Sequence, residues 1–225
     1  MITEPVLPIF TRQPLVDLIR SMDFLSLEKG PWVCGGAALA LARGKRDLSP
    51  TTADIDIFCT GAGQVNEVAD GLRKLRGWGM SQRSTSQGAL NFQASRSGLT
   101  LDTGEGFKFA NLLKPVRFNE MFNIQIVTKS HHETLIETMD KFDFTVTMLA
   151  TDGQFIVGPD IAWKHLRDRV LHCRDLQTNT LWRIPKYCEM GFVPSTELLR
   201  EIIDEQVVAR DYQPNRFRMM APDGY

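Results

Sequence analysis

The stretch Asp54-Ile55-Asp56-Ile57-Phe58 constrains the fold of this chain more than any other. Side chains alternate across a β-strand, so Asp54 and Asp56 take one face while Ile55 and Ile57 take the other. The isoleucines require a core beneath them. The two carboxylates repel each other and disfavour β structure unless something offsets their charge. A hard divalent cation such as Mg²⁺ does so, because it prefers oxygen ligands. Two such ions about 3.5–4 Å apart, bridged by the pair, hold the attacking and leaving oxygens of a phosphoryl transfer. The same pattern also suits a solvated edge strand carrying two surface acids.

Upstream, Trp32-Val33-Cys34 leads into Gly35-Gly36 and a small-residue helix from Ala37 to Arg43, ended by Gly44. Glycines at a strand-to-helix junction let the backbone turn sharply and leave the first helical amides open to a phosphate. A tight structural turn uses glycine equally well. Elsewhere the pattern predicts a helix around Leu15, Ile19 and Met22, a strand over Ala53 to Cys59 and a helix over Val65 to Arg76. Strands over Ala89 to Ser95, Gly98 to Asp102 and Asn123 to Thr128 follow, then a helix over His131 to Asp140. Phe142 to Ala150 reads as a strand, with Asp143, Thr145 and Thr147 facing away from Phe142, Phe144, Val146 and Met148. The turn Asp152-Gly153 then closes a hairpin with Phe155 to Val157. Helical patterns near 160–170, 178–190 and 195–211 complete the chain. The expected class is α/β (α+β): a mixed sheet with helices on one face, then a helical C-terminal subdomain. Its divisions are an N-terminal helical segment over 1–30, a core over 31–158, and the helical subdomain and tail over 159–225.

Composition narrows the function classes. With 225 residues, 43% hydrophobic and 24% charged, the chain is globular rather than disordered or fibrous. A net charge of −1 excludes a chain-wide basic field for gripping nucleic acid. No apolar run approaches the roughly 20 residues a bilayer requires, and Met1 to Phe10 lacks the basic start and apolar core of a signal peptide. Cys34, Cys59, Cys173 and Cys188 lie far apart, as reduced thiols of a cytoplasmic protein do.

A Gly-Gly helix start followed by D-x-D on the next strand resembles the nucleotidyltransferase superfamily, whose fold is shared with DNA polymerase beta. Here the motifs read Val33-Cys34-Gly35-Gly36 and Asp54-Ile55-Asp56-Ile57-Phe58. Gly88-Ala89-Leu90-Asn91-Phe92, Ile124-Gln125-Ile126-Val127, Phe142-Asp143-Phe144-Thr145 and Arg183-Ile184-Pro185-Lys186-Tyr187 to Gly191-Phe192 are similar to nucleotidyltransferase-like proteins of phages and large DNA viruses. The resemblance implies nucleotide binding, with ATP or another NTP as substrate and Mg²⁺ or Mn²⁺ as cofactor. It implies that Gly35 and Gly36 seat the phosphates and that Asp54 and Asp56 ligate metal. Many active members carry a third carboxylate on a later strand, where this chain has Gln125; an amide neither accepts a proton at useful pH nor ligates Mg²⁺ as well. Asp143 is the best replacement as third ligand or base, and equally suits a structural acid capping neighbouring backbone. Asp102 is a more distant candidate.

Between Ile161 and Lys186 stand Lys164, Arg167, Arg169, Arg174, Arg183 and Lys186 against Asp168 and Asp175. Such a stretch neutralises a triphosphate, tracks a nucleic-acid backbone, or forms a solvated helix face. Arg183 and Lys186, on one helix face if Pro185 lies in the first turn, are the leading triphosphate contacts. Gly36 to Lys45 fails the phosphate-loop spacing. His131-His132 read as surface residues, His165 and His172 as structural ones, and Trp163 and Trp182 as core anchors. The expected function is metal-dependent transfer of a nucleoside monophosphate from an NTP to RNA, protein or a small molecule. The alternative is a catalytically reduced fold serving as a binding or assembly module, as in a phage or viral particle.

Overall fold

The computed structural model describes residues 1–6, 14–43, 54–86, 88–101, 115–176 and 178–212. The chain divides into two compact units: Met1–Phe142 with Thr147–Asp160, and Asp143–Val146 with the chain from Ile161 onward.

In chain order the first unit contains β1 (Ile2–Pro5), α1 (Pro14–Arg20), β2 (Trp32–Cys34), α2 (Gly36–Ala42), β3 (Asp54–Phe58) and α3 (Ala62–Arg73). Then come β4 (Gly79–Ser86), β5 (Ala89–Leu101), β6 (Pro115–Val127), α4 (Leu135–Met139), β7 (Ala150–Thr151) and β8 (Phe155–Gly158). The strands form one eight-stranded sheet in the order β1-β8-β7-β2-β3-β6-β5-β4. β3 and β6 run parallel, and the other neighbouring pairs among the described residues are antiparallel. A parallel pair needs a crossover, which α3 and the β4–β5 hairpin supply. The mixed sheet with helices expected from the sequence is thus what the chain forms. β3 lies inside this sheet between β2 and β6, so it is not an edge strand. Its isoleucines, Ile55 and Ile57, are completely buried, each contributing up to about 3 kcal/mol of apolar burial.

Other elements differ from expectation. β5 runs unbroken through Arg96 and Ser97, where the sequence predicts two strands; its thirteen residues pair in continuous register with β6. Asp102 lies outside the described residues. β1 and β4 escape prediction because both are outer strands held by backbone pairing, β1 with mostly exposed side chains. The hairpin of β7 and β8 forms as expected, with the Asp152 carboxylate accepting from the Gln154 and Phe155 amides across the turn.

The second unit carries α5 (Asp160–Asp168), β9 (Val170–Leu171), α6 (Thr178–Glu189), β10 (Val193–Pro194) and α7 (Thr196–Tyr212). β9 and β10 add a short parallel pair to the expected helices. Phe142 to Met148 is not a strand: Phe144 makes an isolated bridge to Cys173, and Thr145–Thr147 form a 3-10 turn. Asp143, Thr145 and Thr147 are buried along with Phe144, Val146 and Met148, so the segment has no polar cleft face. Trp163 is a buried anchor as expected, but Trp182 is 79% exposed. Among the described residues no helix is long and apolar enough to cross a membrane.

Candidate active site

The register of the sheet determines what surrounds the two aspartates. Asp54 pairs with Asn123 and Asp56 with Gln125 on β6; those in turn oppose Gln93 and Asn91 on β5. Partners in register share a face. One face therefore carries Asp54, Asp56, Asn123, Gln125, Gln93 and Asn91, while Ile55, Ile57, Ile124, Ile126 and Phe92 are buried on the other. Asp54 is exposed and Asp56 half-buried. Gln125 Nε2 donates to Asp54 Oδ2 at 3.2 Å, so this amide steadies one acid of the pair. On this face, where β2 flanks β3, Cys34 stands in register with Asp56 and is wholly buried. Burial, and then the charge of Asp56, pushes its thiol well above the ordinary range.

Between β2 and α2 the backbone turns at Gly35, whose φ of 74° lies in the left-handed region. Its N–H donates to the Leu149 carbonyl at 3.0 Å and its carbonyl accepts from Leu39 at 2.9 Å. A Cβ on Gly35 would lie 2.9 Å from Phe142 Cε1, whereas one on Gly36 would meet nothing within 4 Å. The first glycine is thus required by packing and dihedral, and the second by neither. Gly35→Ala is expected to lose about 2–4 kcal/mol of stability, from backbone strain plus overpacking. Gly36→Ala, at a helical position, is expected to change it by no more than about 1 kcal/mol, in the stabilising direction. Urea unfolding of the two variants checks the contrast.

Asp143, Arg183 and Lys186 belong to the second unit. The Asp143 carboxylate accepts from Arg183 Nη1 at 2.8 and 2.7 Å, from the Thr180 hydroxyl at 3.1 Å, and from the Phe144 amide at 2.9 Å. Arg183 Nη2 reaches Tyr187 Oη at 3.1 Å. Burial pulls the guanidinium pKa down, but Tyr187 and Asp143 together outweigh it and leave it raised. Lys186 is exposed on the same helix. Pro185 sits inside α6 rather than in its first turn, where it removes one helical hydrogen bond. Sequence reasoning missed Thr180 and Tyr187 as partners of this pair. It also missed Asn91 and Gln93, whose alternation with Leu90 and Phe92 was the available signal.

Among the described residues no three His, Cys, Asp or Glu side chains cluster to hold a metal. The donor set on β3 nonetheless fits Mg²⁺, which is commonly held by one or two carboxylates and completed by substrate phosphates and water. Asp54 and Asp56 offer that number, with amide oxygens beside them.

A family model described as "Gabija anti-defense 2 family protein" matches residues 11–169, well over half of the chain. The chain belongs to the Gabija anti-defense 2 family. A solved structure titled "The complex structure of CCA-adding enzyme with CTP" aligns with a TM-score of 0.49 at 14% identity, covering 93% of this chain and 48% of that one. This family member therefore spans about half the length of that protein. No curated protein sequence matches it.

Proposed function

We propose that this member of the family transfers a nucleoside monophosphate from an NTP to an RNA, protein or small-molecule acceptor. Such a transfer would be its means of opposing the Gabija defence that the family is named for, in the cytoplasm of a host infected by a phage or virus. The observation that carries this is the polar face of β3: an interior strand keeps two carboxylates side by side above a fully buried isoleucine layer. Asp54 and Asp56 would hold Mg²⁺ or Mn²⁺, which supplies charge neutralisation to the triphosphate. The Gly35–Gly36 turn would seat the phosphates, using the open space at Gly36. The acceptor oxygen or nitrogen bonds to the α-phosphorus as pyrophosphate leaves. In the second unit Lys186 is the proposed phosphate contact, because its ammonium is exposed. Arg183 is committed to Asp143, and Asp143 takes the role of orienting that guanidinium rather than that of metal ligand or base.

A reduced fold acting as a binding or assembly module is the second reading. It is favoured by Gln125 in the third-carboxylate place and by the occupied carboxylate of Asp143. The two separate in an assay with each α-labelled NTP, Mg²⁺ or Mn²⁺, and host RNA, host protein or the protein itself as acceptor. A covalently labelled product supports transfer and identifies the acceptor class. No label, and no metal-dependent NTP binding, supports the module.

A further inference from the structure

The second unit holds a cavity of about 430 Å³ lined by Thr145, Ile161, His165, His172, Arg174 and Glu197. None of these residues has a part in the proposed transfer. α5 brings Ile161 and His165, the chain just past β9 brings His172 and Arg174, the first turn of α7 brings Glu197, and the 3-10 turn brings Thr145. The two imidazole rings lie 5.4 Å apart between centroids. Each is fixed through one nitrogen: His165 Nδ1 bonds Thr145 Oγ1 at 2.7 Å, and His172 Nδ1 bonds Ser195 Oγ at 3.2 Å. Among the described residues, no protein hydrogen bond engages the Nε2 of either ring. Holding one imidazole nitrogen sets the orientation of the other.

The charges around this pair favour an anion. Burial, then His172 and Lys164, lower the pKa of His165, while Asp168 opposes them. Arg174 adds a permanent positive charge to the lining, and Glu197 is its one carboxylate. A bound anion adds to the counter-charge of Asp168, which by itself does not offset burial, His172 and Lys164, so binding takes up a proton. Glu197, in contrast, already accepts from Ser195 and from its own amide, and its remaining lone pairs suit a hydrogen-bond donor on the ligand. The volume lies at the lower end of the range for small-molecule sites.

We infer that this cavity binds a small phosphomonoester bearing hydroxyl groups, with its oxyanion at His165, His172 and Arg174 and a hydroxyl donating to Glu197. Two probes separate the oxyanion from the rest of the ligand: sulfate, whose charge is fixed near neutrality, and a pentose phosphate. Calorimetry on the full chain is expected to show sulfate binding about ten- to thirtyfold tighter near pH 6 than near pH 7.5, the upper figure being uptake of one whole proton across that interval. The pentose phosphate is expected to bind at least about fivefold tighter than sulfate through its hydroxyls, and Glu197→Gln to erase most of that margin.

His165→Asn and His172→Asn keep a hydrogen-bonding group near the Nδ1 position and remove Nε2. Each is expected to weaken both probes at least about fivefold while leaving label transfer unchanged. Imidazole nitrogen NMR on the unsubstituted protein gives a second measurement that needs no variant, with both Nε2 signals expected to shift on saturation. Binding that ignores pH and both histidine variants, or unmoved Nε2 signals, overturns the inference. So does saturation of the cavity by Zn²⁺ in preference to either anion. The transfer proposal survives any of these results, since it uses none of the lining residues.

Discussion

Replacing Asp54 and Asp56 together by asparagine is expected to lower nucleotidyl transfer at least about a thousandfold, while the metal-free protein unfolds at the same temperature or higher. A thousandfold corresponds to about 4 kcal/mol of transition-state stabilisation, a reasonable share for the groups that hold the charge-neutralising ion. The second half of the expectation comes from the sheet. In the variant an asparagine in place of Asp54 can still pair with the Gln125 amide, the buried face of Ile55 and Ile57 is untouched, and two like charges on one strand face are gone. The substitution therefore removes ligands without removing structure. Mg²⁺ with NTP should raise the thermal midpoint of the unsubstituted protein and leave that of the double variant in place, because only a ligand of the folded state stabilises it. Full transfer by the variant would end the metal-site proposal. A variant that unfolds early would show instead that the acids are structural.

How much of this was legible in the sequence depended on whether a residue's surroundings were set locally. On β3 they were: period-two alternation sorted aspartates from isoleucines, and a strand with that pattern has one way to face a core. The hairpin of β7 and β8 was legible for a similar reason, since the Asp152-Gly153 turn fixes its own geometry. Phe142 to Met148 shows the opposite. Its alternation of Asp and Thr with Phe and Val imitates a half-buried strand, yet the polar set is as buried as the apolar one. What satisfies it is remote: Thr145 takes the His172 carbonyl and the His165 imidazole, and Asp143 takes Arg183 and Thr180 from α6. No local rule identifies partners 20 to 40 positions away. Trp182 fails for a related reason, because a large aromatic on a helix signals a buried face only when another element covers it.

Arg183→Met is expected to destabilise the second unit by about 2–3 kcal/mol, the other large effect the structure predicts. Asp143 is 7% exposed, so losing the guanidinium leaves its carboxylate in the interior with the Thr180 hydroxyl and the Phe144 amide as its remaining donors. Breaking a wholly buried pair costs about 3–5 kcal/mol; the lower figure reflects a guanidinium whose side chain is 42% exposed. Asp143→Asn should cost less, about 1–2 kcal/mol, because the freed arginine can turn toward water while the asparagine oxygen still accepts from Phe144. The double variant Asp143→Asn/Arg183→Met should then be more stable than the sum of the singles by about 1–2 kcal/mol, measured as the coupling in a urea-unfolding cycle. That coupling decides what the arginine is for. If it is large, Arg183 is bound to the interior of its own unit, and the triphosphate charge falls to exposed Lys186, whose replacement should weaken NTP binding without touching stability. If the singles are harmless and additive, the ion pair is only one resting position of a mobile side chain. Arg183 would then be as available to a phosphate as its place in the sequence first implied.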